Sequence, residues 1–165
     1  MLEIKTPPAI IFDKDGTLID VHHYWIEMSC LRIRNILEIL PSSVSTASNL
    51  NFYLLRQLGI DMENRRIHKD GPAGVMPKEE IINIITKSLN EKCYDLNPKY
   101  VQQAFLQADE DSNKELNEFL KLLPGVENII MVAKRKQIDL NLVSNDITER
   151  SKLALSSLGF LDDFR

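Results

Sequence analysis

The chain has 165 residues, 44% of them hydrophobic, which suits a single globular domain or one core carrying a large insertion. Its net charge is −4 and it has no Lys/Arg-rich run, which argues against a nucleic-acid partner, because such binding neutralises many phosphates with clustered cations. The apolar run near the amino terminus, Ala9-Ile10-Ile11-Phe12, is too short for a signal-peptide core or a membrane span, so the expectation is a cytoplasmic protein with no membrane partner.

Taken in chain order, that first run follows Pro7-Pro8 and is apolar on both alternating faces, which predicts a buried parallel strand ending at Asp13. From residue 21 to residue 123 there is almost no strand signal, far more than a connection in a compact domain holds. Apolar residues recur there at helical spacing, in 24–40 (Trp25, Met28, Ile33, Ile36, Leu37), 50–58, 81–89 and 100–123. The breaks fall at Pro41-Ser42-Ser43, Gly59, the loop 70–74, Asn97-Pro98 and Pro124-Gly125. Tyr24 and Trp25 belong to the apolar stripe, and Cys30 and Cys93 lie in helical stretches without CxxC spacing, as reduced and mostly buried thiols.

The chain then reads as a helix over 126–136 and a strand over 138–143 that stops at Ser144-Asn145-Asp146. A second helix over 147–158 follows, capped in the Asn145-Asp146 region and stopped at Gly159. Strand, helix and strand with polar residues at the strand ends make an α/β, Rossmann-like core. The expected organisation is a core of residues 1–20 and 124–165 interrupted by an all-helical domain of residues 21–123.

The sequence Asp13-Lys14-Asp15-Gly16-Thr17 places two carboxylates at the carboxyl end of a strand, where open α/β sheets bind ligands, and next to a glycine turn. One carboxylate there can attack phosphorus and the other can protonate a leaving oxygen and later activate water. Mg²⁺ suits such a pair, since it takes one or two carboxylates, waters and substrate oxygens. A calcium loop also contains Asp-x-Asp-Gly. With Gly16 at the sixth position, however, its first and twelfth ligands would be Ile11 and His22, neither of them a carboxylate. A solvated acidic turn is the blander alternative.

The stretch 10–18 resembles the first motif of the haloacid-dehalogenase (HAD) superfamily, a hydrophobic strand followed by DxDGT. The resemblance implies that Asp13 is a nucleophile and Asp15 a general acid/base, with the Asp13 carboxylate and the Asp15 main-chain carbonyl as Mg²⁺ ligands. An aspartate at the second position is similar to the phosphatase and phosphomutase branches. Leu142-Val143-Ser144-Asn145 resembles the family's second motif, which makes Ser144, with Asn145 beside it, the expected binder of the substrate phosphate. A hydroxyl and helix-terminal N–H groups meet phosphate oxygens without adding negative charge.

The insertion resembles the helical cap of the phosphoglycolate-phosphatase-like group, which closes over small substrates and excludes water. In it Arg65, Arg66, His68, Lys69 and Lys78 flank the loop 70–74 and are candidates to hold an anionic substrate tail, although for any one of them a solvated cationic face is the favoured reading, since charged side chains mostly stay exposed. His22 and His23 are candidates to line the crevice. The family's later lysine and acidic strand end are not found. Lys152 lies in the helix leaving Ser144, and Asp162 and Asp163 follow no hydrophobic strand. With two core strands where a sheet usually has about five or six, the chain is expected to be a fragment of a longer polypeptide or a subunit completed by another chain. The function implied is Mg²⁺-dependent hydrolysis of a small phosphorylated metabolite through an aspartyl-phosphate on Asp13. A phosphomutase, or a binding or regulatory module that keeps the fold without turnover, is the alternative.

Overall fold

The computed structural model describes residues 9–41, 49–92, 94 and 96–165; Pro7, Pro8, Ser42, Ser43 and Cys93 lie outside them. In chain order the described elements are β1 (Ala9–Asp13), α1 (Val21–Ile39), α2 (Leu50–Gln57), β2 (Ile60–Asp61), β3 (Arg66–Ile67), α3 (Lys78–Asn90), α4 (Pro98–Lys114), α5 (Leu116–Phe119), α6 (Val126–Arg135), β4 (Asp139–Val143) and α7 (Thr148–Ser157). They form two compact units, one of Met1–Val21 with Leu116–Arg165 and one of His22–Glu115. The architecture is α/β, with a Rossmann-like parallel pair in the first unit and a helix-rich second unit.

In the first unit β1 and β4 pair in parallel, from Ala9 opposite Asp139 to Asp13 opposite Val143. Both strands therefore finish at one edge, which brings the two polar strand ends together. Strand alternation sends Phe12 inward, where its ring meets Phe164 edge-on at 5.9 Å. Ile11, by contrast, is 67% exposed. The sequence reading took β1 as buried on both faces; the strand is covered on one, because β-branched residues suit a half-buried pleat as well as a fully buried one. The helix α6 buries Val126, Ile130 and Ala133, spaced at i, i+4 and i+7 so that they share one face. Its last turn carries Lys134 and Arg135, favourable at the negative end of the helix dipole. The segment after β1 is anchored by backbone bonds, Leu123 N–H to Leu18 O at 2.9 Å and Asp20 N–H to Lys121 O at 2.7 Å. Leu18 and Ile19 are fully buried there.

The second unit has its own core. Helical spacing brings together Ile26, Ile33 and Ile36 of α1, Leu54 and Leu55 of α2, Ile81, Ile85 and Leu89 of α3 and Val101 and Phe105 of α4. Each large side chain fully removed from water stabilises the unit by about 1.5–3 kcal/mol. Asn97 caps α4, accepting a bond from Lys99 N–H at 3.0 Å, and Pro98 opens the helix. The unit also contains a ribbon of two residues on each side, Ile60 opposite Ile67 and Asp61 opposite Arg66. The Asp61 carboxylate closes its turn by accepting from the Glu63 and Asn64 amides and from the Asn64 side chain. Gly59, at φ +74°, ends the turn after α2; a Cβ there would sit 2.7 Å from the Gly71 Cα, so only glycine lets the loop cross. The helical run expected over 100–123 is divided at Glu115, whose φ and ψ of −120° and 37° leave the helix, and α5 belongs to the first unit. Among the described residues no helix is long and apolar enough to cross a membrane.

Candidate active site

The first unit supplies every residue of the two resembling motifs. After β1 the backbone coils tightly: Gly16 N–H donates to Ile19 O at 2.9 Å, and the Leu18 and Ile19 amides both donate to Lys14 O at 3.0 Å. Gly16 holds φ +81°, a left-handed conformation that L side chains rarely adopt, although a Cβ there would find room. The turn thus needs glycine for its dihedral and not for space. It leaves Asp13 exposed, with the Thr17 hydroxyl donating a long bond of 3.4 Å to Oδ2.

Lys14, between the two aspartates, is only 7% exposed. Its ammonium lies 3.1 Å from Asp15 Oδ1 and 3.0 Å from Asp146 Oδ2. Burial works to lower the Lys14 pKa, but the Asp146 hydrogen bond and the Asp15 charge outweigh it and hold the pKa above the ordinary lysine value. The bond to Asp146 spans 132 positions of sequence and ties the first motif to the second. Asp146 Oδ2 also faces Arg150 Nε at 3.9 Å, and the Asp146 amide donates to Ser144 Oγ at 3.1 Å.

These bonds correct one expectation. The Asn145-Asp146 region was to cap the following helix, yet α7 has Ile147 at its cap position and no side-chain cap bond. The Asp146 carboxylate is engaged by Lys14 instead, since a buried ammonium is costlier to leave unpaired than an exposed helix N–H. Ser144 is half-buried and Asn145 exposed, immediately beyond the residue paired with Asp13. A cleft of about 200 Å³ is lined by Ser144, Asp146, Thr148, Ser151 and Lys152 among others.

The two carboxylates of the first motif therefore differ. Asp15 is charge-compensated within the fold, whereas Asp13 is open to solvent. An exposed carboxylate fits the preference of Mg²⁺ for one or two carboxylates with waters and phosphate oxygens. The carboxylate of Asp15 is engaged by Lys14 through Oδ1. Among the described residues no group of three or more His, Cys, Asp or Glu side chains is placed to hold a metal ion.

In the second unit the candidate cations mostly have internal partners. Arg65 pairs with Glu27 at 2.6 Å, and Lys78 bonds Asp109. His22 Nδ1 accepts from Ile67 N–H at 3.3 Å, His68 Nδ1 accepts from Asp70 N–H at 3.3 Å, and His23 lies 3.9 Å from Glu27. Arg66 and Lys69 are exposed. Sequence reasoning missed Lys14 and Asp146 as members of the site. The local signal for Lys14 was its place in the strand-end turn, but nothing local pointed to its partner.

No curated protein matches the chain. Among solved structures it resembles a protein assigned as a phosphoglycolate phosphatase from Haemophilus somnus 129pt, with 17% identity and a TM-score of 0.55 over 95% of this chain and 60% of the other. It also resembles one assigned as a β-phosphoglucomutase from Thermotoga maritima, with 20% identity and a TM-score of 0.59 over 96% of this chain and 59% of the other. At these identities the likeness establishes the fold, and the chain spans about 60% of the length of the structures it matches. A model of haloacid dehalogenase-like hydrolases matches residues 7–165, nearly the whole chain with both motifs, and the chain belongs to that family.

Proposed function

We propose that this chain provides the nucleophile, Asp13, of a Mg²⁺-dependent phosphatase acting on a small phosphorylated metabolite, with the helix-rich unit His22–Glu115 as its cap. The observation that carries the reading is the parallel pairing of β1 with β4, which sets the exposed Asp13 beside the strand end that bears Ser144. Asp13 Oδ would attack phosphorus, and the P–O bond to the leaving group would break as Asp15 gives that oxygen a proton. Asp15 would then take a proton from water, whose oxygen attacks phosphorus, releases phosphate and restores Asp13. The Ser144 hydroxyl and the Asn145 amide would meet phosphoryl oxygens without adding negative charge. The Asp13 carboxylate and Asp15 carbonyl would hold Mg²⁺, which when bound neutralises repulsion between carboxylates and phosphate.

A second reading, phosphoryl binding without turnover, is favoured by the pairing of the Asp15 carboxylate with the buried Lys14 ammonium. One experiment separates the two: phosphate release from a panel of small phosphate monoesters, with and without Mg²⁺, by the 165-residue chain and by Asp13→Asn. Metal-dependent release by the wild type, reduced by about 10⁴-fold or more in the variant, is the scale on which loss of a covalent nucleophile acts. No release by the wild type rejects hydrolysis by this chain, and equal release by both rejects Asp13 as nucleophile.

A further inference from the structure

The proposed chemistry asks Asp15 to turn towards a substrate oxygen, while the structure ties its carboxylate to a buried ammonium. A buried lysine with one carboxylate partner would hold it firmly, because removing the partner leaves an uncompensated charge in a poorly solvated place. Lys14 has two partners. Asp146 lies as close to it as Asp15 does, at 3.0 Å against 3.1 Å, and comes from the other strand end. Asp15 is therefore able to leave while the ammonium stays paired. The Asp146 main chain is fixed independently, by its amide bond to Ser144 Oγ, so it has no reason to follow. Its Oδ2 already sits within 3.9 Å of Arg150, so Asp146 keeps a second cation of its own through the exchange.

We infer that Asp146 is a positioning residue, the standing counter-charge of Lys14 that frees Asp15 to act on substrate. The idea rests on the role given to Asp15 above. It makes an unusual demand on mutational order. In Asp146→Asn, Asp15 becomes the only carboxylate holding Lys14 among the described residues and is retained there. In Lys14→Met with Asp146→Asn, the ammonium is gone and Asp15 is free again.

The test measures kcat and KM of the full chain for its best phosphate monoester. Asp146→Asn should lower kcat about tenfold or more, within the roughly 10²–10⁴-fold that a general acid–base supplies, with KM little changed. The double variant should recover most of that loss. A merely structural bridge predicts the reverse, a double variant as slow as Asp146→Asn or slower, and that result overturns the inference. An independent reading follows the Asp15 and Asp146 carboxyl ¹³C resonances by NMR. Both should move in Lys14→Met. On adding Mg²⁺ with beryllofluoride, a phosphoryl mimic, Asp15 should move in the wild type and stay in Asp146→Asn. An Asp15 resonance that ignores the mimic, or responds equally in both proteins, overturns the inference even if phosphate release is seen. The expected NMR pattern without any phosphate release would sustain it and reject only the hydrolytic reading.

Discussion

Replacing Asp109 should unfold the second unit far more readily than replacing its buried partner Arg32. Arg32 is 7% exposed, its guanidinium 4.7 Å from the centre of the Phe105 ring and 5.8 Å from that of Trp25. Its Nη2 donates to Asp109 Oδ1 at 3.1 Å, and its buried Nε has no acceptor among the described residues. Asp109 also bonds Lys78, whose side chain is 40% exposed. With Asp109→Ala, Arg32 keeps its burial and loses its counter-charge, a change that costs about 3–5 kcal/mol, against about 5–15 kcal/mol for the stability of a typical domain. With Arg32→Met, a flexible side chain fills the buried space of the stem, the unsatisfied Nε disappears, and Asp109 retains Lys78 near the surface. The net loss should then stay within about 1.5 kcal/mol. Urea unfolding followed by fluorescence reads this directly, because Trp25 is the only tryptophan of the chain and lies against the guanidinium. Losses for the two variants within 1 kcal/mol of each other, or a larger loss for Arg32→Met, would refute the assignment of Asp109 as the essential partner.

The same cluster sets an acid limit. Burial raises the Asp109 pKa, but the Lys78 hydrogen bond and the Arg32 charge outweigh it and hold the carboxyl below its ordinary value. A depressed carboxyl contributes stability above the unfolded-state value near 3.9 and loses it as pH falls through the folded-state value. The wild type should therefore lose more unfolding free energy between pH 5 and pH 3 than Asp109→Asn does, and equal slopes would contradict the argument. At the start of α4, Asn97→Ala removes the bond to Lys99 N–H and should cost about 0.5–2 kcal/mol, measured by the same urea titration; a stabilised variant would show that the cap contributes nothing.

The parts of the fold legible in the sequence are those whose signal is local. The strand before Asp13, the helix and strand leading to Ser144 and the stop at Gly159 each combine a periodicity with a terminator a few residues away. The ribbon of β2 and β3 was not legible, because two residues per strand are too few to show alternation and its turn depends on Asp61 bonding forward to Glu63 and Asn64. In the site, Asp13, Asp15, Ser144 and Asn145 were named from motif residues. Lys14 to Asp146 was not, since their bond crosses 132 positions and exists only once the strands pair. Arg32 with Asp109 is hidden for the same reason, 77 positions apart. Charged residues are usually read as exposed, and nothing local marks the few that fold inward.

The pleat of β1 decides which residue of Asp13-Lys14-Asp15 does what. Along the strand the side chains alternate from exposed Ala9, Ile11 and Asp13 to the more buried Ile10 and Phe12, and Lys14 continues the buried set. Asp13 reaches solvent because it shares the face of Ile11, and Lys14 reaches Asp146 because it shares the face of Phe12. A slip of the pairing by one residue would exchange these faces, burying the carboxylate proposed as nucleophile and exposing the ammonium. Register is held against that slip by Phe12 packing on Phe164 and by the burial of Leu140 opposite Ile10. Beyond Lys14 the alternation stops, because Gly16 turns the chain and leaves Asp15 half-buried, able to face Lys14 from outside the strand. The apolar packing at the middle of the strand is thus what separates the roles of the charges at its end.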